Sequence, residues 1–102
     1  MTIRWTHSAR QDVDRLVDFI SAYDQDLANW VEQELSLAPK RLLAFPRLGA
    51  RLSGFDPREI REFRIRKYLL RYELAGGDIF VLRFLHAREN RFSAGEGSSS
   101  LD

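Results

Sequence analysis

Apolar positions along this chain change period near its middle, from a helical repeat of about 3.6 residues to the alternation of a strand. In TIRW, Ile3 and Trp5 share one face and predict a short first strand. Over THSARQDVDRLVDFISAY, Ala9, Val13, Leu16, Val17 and Ile20 recur at helical intervals as a stripe to be buried, and Asp12, Asp14 and Asp18 are expected to face water. Thr6 or Ser8 can accept a bond from a first-turn N–H, and Ser8 with Gln11 has the spacing of a capping box. Asp24 or Asp26 starts a second helix, with Leu27, Val31 and Leu35 on one face and Trp30 on its flank. Pro39 lacks the N–H that would bond to Leu35, so a kink or restart is expected before KRLLAF. FPRLG then ends the helical region, with Gly49 read as a permissive turn residue.

The second half alternates. Phe63 and Ile65 interleave with charged residues in IREFRI, and Tyr68, Leu70, Tyr72 and Leu74 form one face of YLLRYEL. AGGD marks a tight hairpin, because glycine tolerates the positive dihedrals such a turn requires. IFVLRFLHA is apolar on both faces, as expected of a strand with neighbours on either side and helices over one face. Alternation places Phe80, Leu82, Phe84, His86 and Arg88 together and Arg83 opposite, where Glu62 or Glu73 are candidate partners. The expected fold is α+β in the order β-α-α-β-β-β, a helical hairpin packed on an antiparallel-dominated sheet. Residues 1–92 form one domain in this reading, and SAGEGSSSLD, residues 93–102, a flexible polar tail.

A chain of 102 residues supports one small core, which places any chemistry on an open face. The net charge is only +1, but 14 of the 16 basic residues are arginine, a bias suited to forked bonds with carboxylate or phosphate. Acidic residues dominate positions 1–38 and arginines the remainder. With no cysteine and two histidines, neither a disulfide framework, a metal site nor a cofactor is expected. The first residues lack the apolar run of a signal peptide, and no window approaches the roughly 18 apolar residues of a membrane span. A cytoplasmic protein with no membrane partner is expected.

Several of these residues recur in a known order. Ala9, Asp12 and Leu16, then FPRLG, Arg61 before Phe63 and Ile65, Tyr68-x-Leu70-x-Tyr72, and finally Ile79-x-Val81-Leu82-Arg83-x-x-His86-x-Arg88 resemble the RelE/ParE toxin superfamily, and within it ParE-like proteins, over about residues 3–91. The resemblance implies the toxin of a type II toxin–antitoxin module, associated with plasmid stabilisation and held inactive in a hetero-oligomer with a cognate antitoxin. ParE-like members are associated with poisoning DNA gyrase, and RelE-like members with ribosome-dependent mRNA cleavage. Arg88 matches the catalytic-type arginine of the nucleases, and His86 suits proton transfer. The arginine expected after the first tyrosine of the middle strand is Leu69 here, however, and the terminal catalytic tyrosine falls near Ala94.

The favoured reading is therefore a non-enzymatic topoisomerase inhibitor with no catalytic residue. A ribosome-dependent endonuclease using His86 and Arg88, or a non-toxic antitoxin-binding homologue, is the alternative. The antitoxin is expected on Trp30, Leu42, Arg61, Arg83 and Arg88, through apolar margins of the hairpin and arginines near the sheet ends. The target is expected on Arg71, His86, Arg88 and Arg91. Trp5, Tyr68 and Tyr72 read as packing residues.

Overall fold

The structure, a computed structural model, describes residues 1–88. Its elements are β1 (Ile3–Trp5), α1 (His7–Ser21), α2 (Gln25–Leu37), a 3-10 turn (Ala38–Lys40), α3 (Arg41–Ala44), β2 (Ala50–Arg51), β3 (Glu59–Ile65), β4 (Tyr68–Ala75) and β5 (Asp78–His86). They build one five-stranded sheet in the order β1-β5-β4-β3-β2. β1 runs parallel to β5 and every other pairing is antiparallel. The α+β architecture is the expected one. β2 was not anticipated, since two residues carry no periodicity. The expected boundary at residue 92 and the tail lie outside the described residues.

Local chemistry sets the helix ends. Thr6 caps α1, its hydroxyl oxygen accepting the Ala9 N–H at 3.1 Å, and Asp24 caps α2 by accepting the Leu27 N–H at 3.0 Å. Ser8 lies inside α1 and plays no capping part. The break at Pro39 takes the form of the 3-10 turn between α2 and α3, where a missing N–H costs least. Ala9, Val13, Leu16 and Ile20 of α1 meet Ala28, Val31 and Leu35 of α2 in the core. Leu27, expected in that stripe, is displaced to the rim, because the small Ala28 takes the buried position.

Under the hairpin the sheet contributes Leu70, Tyr72, Ile79, Val81 and Phe84. Tyr72 is fully buried, yet its hydroxyl is satisfied twice: it donates to the Pro46 carbonyl at 2.7 Å and accepts the Gly49 N–H at 2.9 Å. That contact explains Gly49. A Cβ there would lie 2.7 Å from the Glu62 carbonyl oxygen and 2.9 Å from the Tyr72 ring, so glycine is required by close approach and not by a turn dihedral.

The alternation expected in β5 is broken. Arg71 pairs with Arg83 but Tyr72 with Val81, leaving Leu82 as the extra residue of a β-bulge. Phe84 and His86 consequently share the helix-facing side with Ile79 and Val81, not with Phe80 and Leu82. The β1 ladder stops at Val81, which leaves the edge of β5 open at the bulge. Residues of α1 and its cap close it. The Thr6 hydroxyl lies 2.9 and 3.0 Å from the Val81 and Leu82 carbonyls, and Asp12 accepts the Phe84 N–H at 2.9 Å. Asp12 is thus buried, contrary to its expected place in water, because a strand edge needed an acceptor. It also binds Arg83 through two bonds, at 2.7 and 3.1 Å, and this is the partner that Glu62 and Glu73 were expected to supply.

Candidate functional site

Four large apolar side chains at the tip of the helical hairpin escape the core. Phe19 and Tyr23 of the α1 end are 72% and 66% exposed, and Leu27 and Trp30 of α2 are 38% and 39% exposed. Phe19 meets Tyr23 edge to face with ring centres 6.0 Å apart. Together with Leu16, Ile20 and Val31 as a floor they form one side of a groove of about 300 Å³. The facing side comes from the sheet: Tyr68, His86, and the β3–β4 turn residues Arg66 and Lys67.

That turn is tight, since Ile65 pairs directly with Tyr68. Arg66 takes a left-handed backbone with φ of 55°, where a side chain costs about 1–2 kcal/mol and glycine would be at ease. Its guanidinium lies 4.7 Å from the centre of the Trp30 ring, a cation–π contact across the groove mouth. Tyr68 stands edge-on to His86 at 5.6 Å, and burial raises the pKa of its hydroxyl, with Tyr23 adding to the effect.

Lys67 and His86 also wall a second pocket of about 450 Å³, completed by Arg64, Ala87 and Arg88. The Ala87 N–H donates to the Lys67 carbonyl at 2.8 Å, tying the β3–β4 turn to the exit of β5. The Arg88 N–H donates to His86 Nδ1 at 3.1 Å.

The expected site residues divide accordingly. Trp30 lines the groove, and His86 and Arg88 come together in the second pocket. Leu42 is wholly buried and offers no margin to a partner, because the helical turn after Pro39 rotates it into the core. Arg61 is part of the frame: its Nε donates to Glu59 and its guanidinium to the Gly49 carbonyl, each at 2.7 Å. Arg83 is committed to Asp12, and Arg71 to Glu62 at 2.8 and 3.1 Å on the sheet face away from the helices. Arg91 and Ala94 lie outside the described residues. Among those described, no group of three His, Cys, Asp or Glu is placed to hold a metal ion, and no helix is long and apolar enough to cross a membrane.

Sequence reasoning passed over Phe19, Tyr23, Arg66 and Lys67. The signal was present for two of them: Phe19 and Tyr23 stand one turn apart, at i and i+4, beside the buried stripe and not in it.

A helical hairpin packed on a β1-β5-β4-β3-β2 sheet thus carries an open aromatic groove and, beside it, a basic pocket at the exit of β5. Residues 3–91 match the family described as ParE toxin of type II toxin-antitoxin system, parDE, and the chain belongs to that family. A stretch of 50 residues is 42% identical to Toxin ParE3 of Caulobacter vibrioides, covering 49% of each chain, so the match spans about half the length of this curated relative. The fold is similar to a chain of the chromosomal ParDE TA system from P. aeruginosa, with TM-score 0.71, 21% identity, and coverage of 84% of this chain and 95% of that one. It is also similar to the conserved hypothetical protein HP0894 from Helicobacter pylori, with TM-score 0.54, 19% identity, and coverage of 86% and 96%. At these identities the two structures speak for the fold alone.

Proposed function

We infer that the chain is the toxin of a type II module that acts in the cytoplasm on DNA gyrase or a related topoisomerase and is neutralised by a cognate antitoxin. The observation that carries the antitoxin half is the groove of Phe19, Tyr23, Leu27 and Trp30 with Arg66 and Lys67 at its mouth. Its apolar floor suits the buried side of an amphipathic segment, and the two cations suit acidic residues flanking that segment. Arg88, beyond Lys67, extends the same charge. Membership of the ParE family carries the choice of target. The nuclease alternative finds less support, since Leu69 stands buried where an arginine is expected and His86 Nδ1 is engaged by Arg88.

The test is a supercoiling assay with the host's own gyrase. The purified chain is expected to abolish supercoiling and the antitoxin to restore it. Trp30→Ala should still inhibit but bind the antitoxin more weakly by about 2 kcal/mol, roughly thirtyfold. Unchanged supercoiling at saturating chain would end the topoisomerase reading. Defined mRNA cuts on translating ribosomes that vanish with Arg88→Ala would put the nuclease in its place.

A further inference from the structure

We propose that the pocket of Arg64, Lys67, His86 and Arg88 is a binding site for the phosphodiester backbone of duplex DNA. The first ground is how the molecule distributes its charge. Arg47, Arg58, Arg61, Arg71 and Arg83 are each bonded to a carboxylate. Among the described residues no carboxylate pairs with Arg64, Lys67 or Arg88, and these converge on one pocket. Unpaired surface cations repel one another, so gathering three of them is a cost that an anionic ligand removes.

The second ground is that the pocket is held in shape from within. Arg64 Nε donates to the Arg66 carbonyl at 2.7 Å, the Lys67 carbonyl accepts the Ala87 N–H, and the Arg88 N–H is bonded to His86. These bonds fix the turn against the end of β5 before any ligand arrives, which lowers the ordering cost of binding.

The third ground selects the ligand. Apart from Ala87 the pocket is lined by Arg64, Lys67, His86 and Arg88, with no acidic residue among them, and it offers less apolar surface than the groove for holding a peptide. Charge is its distinguishing feature, and a polyanion that releases counterions at each contact exploits it where an isolated carboxylate does not. Duplex DNA rather than RNA as the source rests on the topoisomerase reading above; the site itself rests on the pocket. Because Lys67 and His86 wall both this pocket and the apolar groove, a segment seated in the groove would also crowd the DNA site.

The experiment needs no topoisomerase. Binding of the full chain to a fluorescein-labelled DNA duplex is followed by anisotropy between about 50 and 200 mM salt, with single-stranded RNA and polyglutamate in parallel arms. A log–log salt slope of about −3 is expected, one unit for each of three phosphate contacts. Arg64→Ala with Lys67→Ala should weaken DNA binding by about tenfold or more, with circular dichroism unchanged. Arg58→Ala, whose side chain is engaged by Glu73, should leave it within about twofold. No DNA binding, or an equal loss in Arg58→Ala, overturns the site. Polyglutamate held as tightly as DNA makes it a carboxylate site, and RNA held more tightly than the duplex overturns the assignment to DNA. If DNA binds as expected while supercoiling proceeds unhindered, the site stands and the topoisomerase reading falls.

Discussion

The two ends of strands β3 and β4 carry the same residue types in opposite states. Glu59 and Leu74 face each other at one end, where Arg47 and Arg61 bond to Glu59 and Arg58 to Glu73. Ile65 and Tyr68 face each other at the other, where Arg64, Arg66 and Lys67 meet no carboxylate among the described residues and exposed aromatic rings stand close by. At the first end the hydrogen bonds from arginine hold the carboxyl pKa of Glu59 and of Glu73 below the ordinary value. At the second, Arg66 keeps a backbone conformation that glycine would hold at lower cost. Charge therefore stabilises the fold at one end and is left available at the other, which is the arrangement expected of a small domain whose partners bind at one place.

The comparison breaks first at Asp12, the most deeply buried of the ion-paired carboxylates among the described residues. Its replacement by alanine leaves the Phe84 N–H without an acceptor and Arg83 without its forked partner, at a cost of about 2–3 kcal/mol. Asp12→Asn keeps an acceptor for the N–H and should cost less. Urea denaturation of the three proteins measures both. Alanine and wild type within about 0.5 kcal/mol of each other would mean that α1 does not close the β5 edge in the way described.

Asp12 also marks where the sequence was legible and where it was not. The helices, the strands other than β2, the glycine hairpin and the break at Pro39 announce themselves through period or backbone chemistry, and the fold follows from their order. Asp12 looks like any solvent-facing acid on an amphipathic helix. Its burial depends on a bulge at Leu82, which depends in turn on how β4 and β5 meet, a long-range fact that no local pattern encodes. The same holds for Arg61 and Arg83, whose partners lie 2 and 71 positions away in the chain and look equally available from sequence. Trp30 was legible as a flank residue. The groove it lines was not, because Tyr68, Arg66 and His86 reach it only through the sheet.

Acid should separate the two ends at smaller amplitude. The folded-state pKa of Glu73 lies below its unfolded value near 4.5, so its contribution is complete above that pH and is lost as pH falls through the depressed folded value. Bonding to Arg58 is the first cause, opposed by burial. Arg58→Ala is accordingly expected to melt below wild type at pH 7 and to converge with it as the solution is acidified. Lys67→Ala, with no carboxylate to lose among the described residues, should track wild type across the same range. Thermal melts at a series of pH values read this directly, and a gap for Arg58→Ala that persists undiminished in acid would show that the ion pair is not its source.

The smallest effect on stability is expected at Arg66, and there it is the combination of results that informs. Arg66→Gly relieves the left-handed backbone, worth about 1 kcal/mol, but gives up the guanidinium over Trp30, worth about 0.5–1 kcal/mol, and adds the chain entropy of glycine to the unfolded state. The terms nearly cancel, so stability should change by no more than about 0.5 kcal/mol and the melting temperature by no more than about 2–4 °C. Antitoxin affinity should fall nonetheless, by about tenfold and less at high salt, because the groove loses a cation at its mouth. A variant clearly more stable and equally well bound would show that the strained arginine serves no partner. Equal binding with lower stability would move Arg66 into the same class as Arg58, a charge kept for the fold, and would shift the boundary between the two ends of the sheet to Lys67.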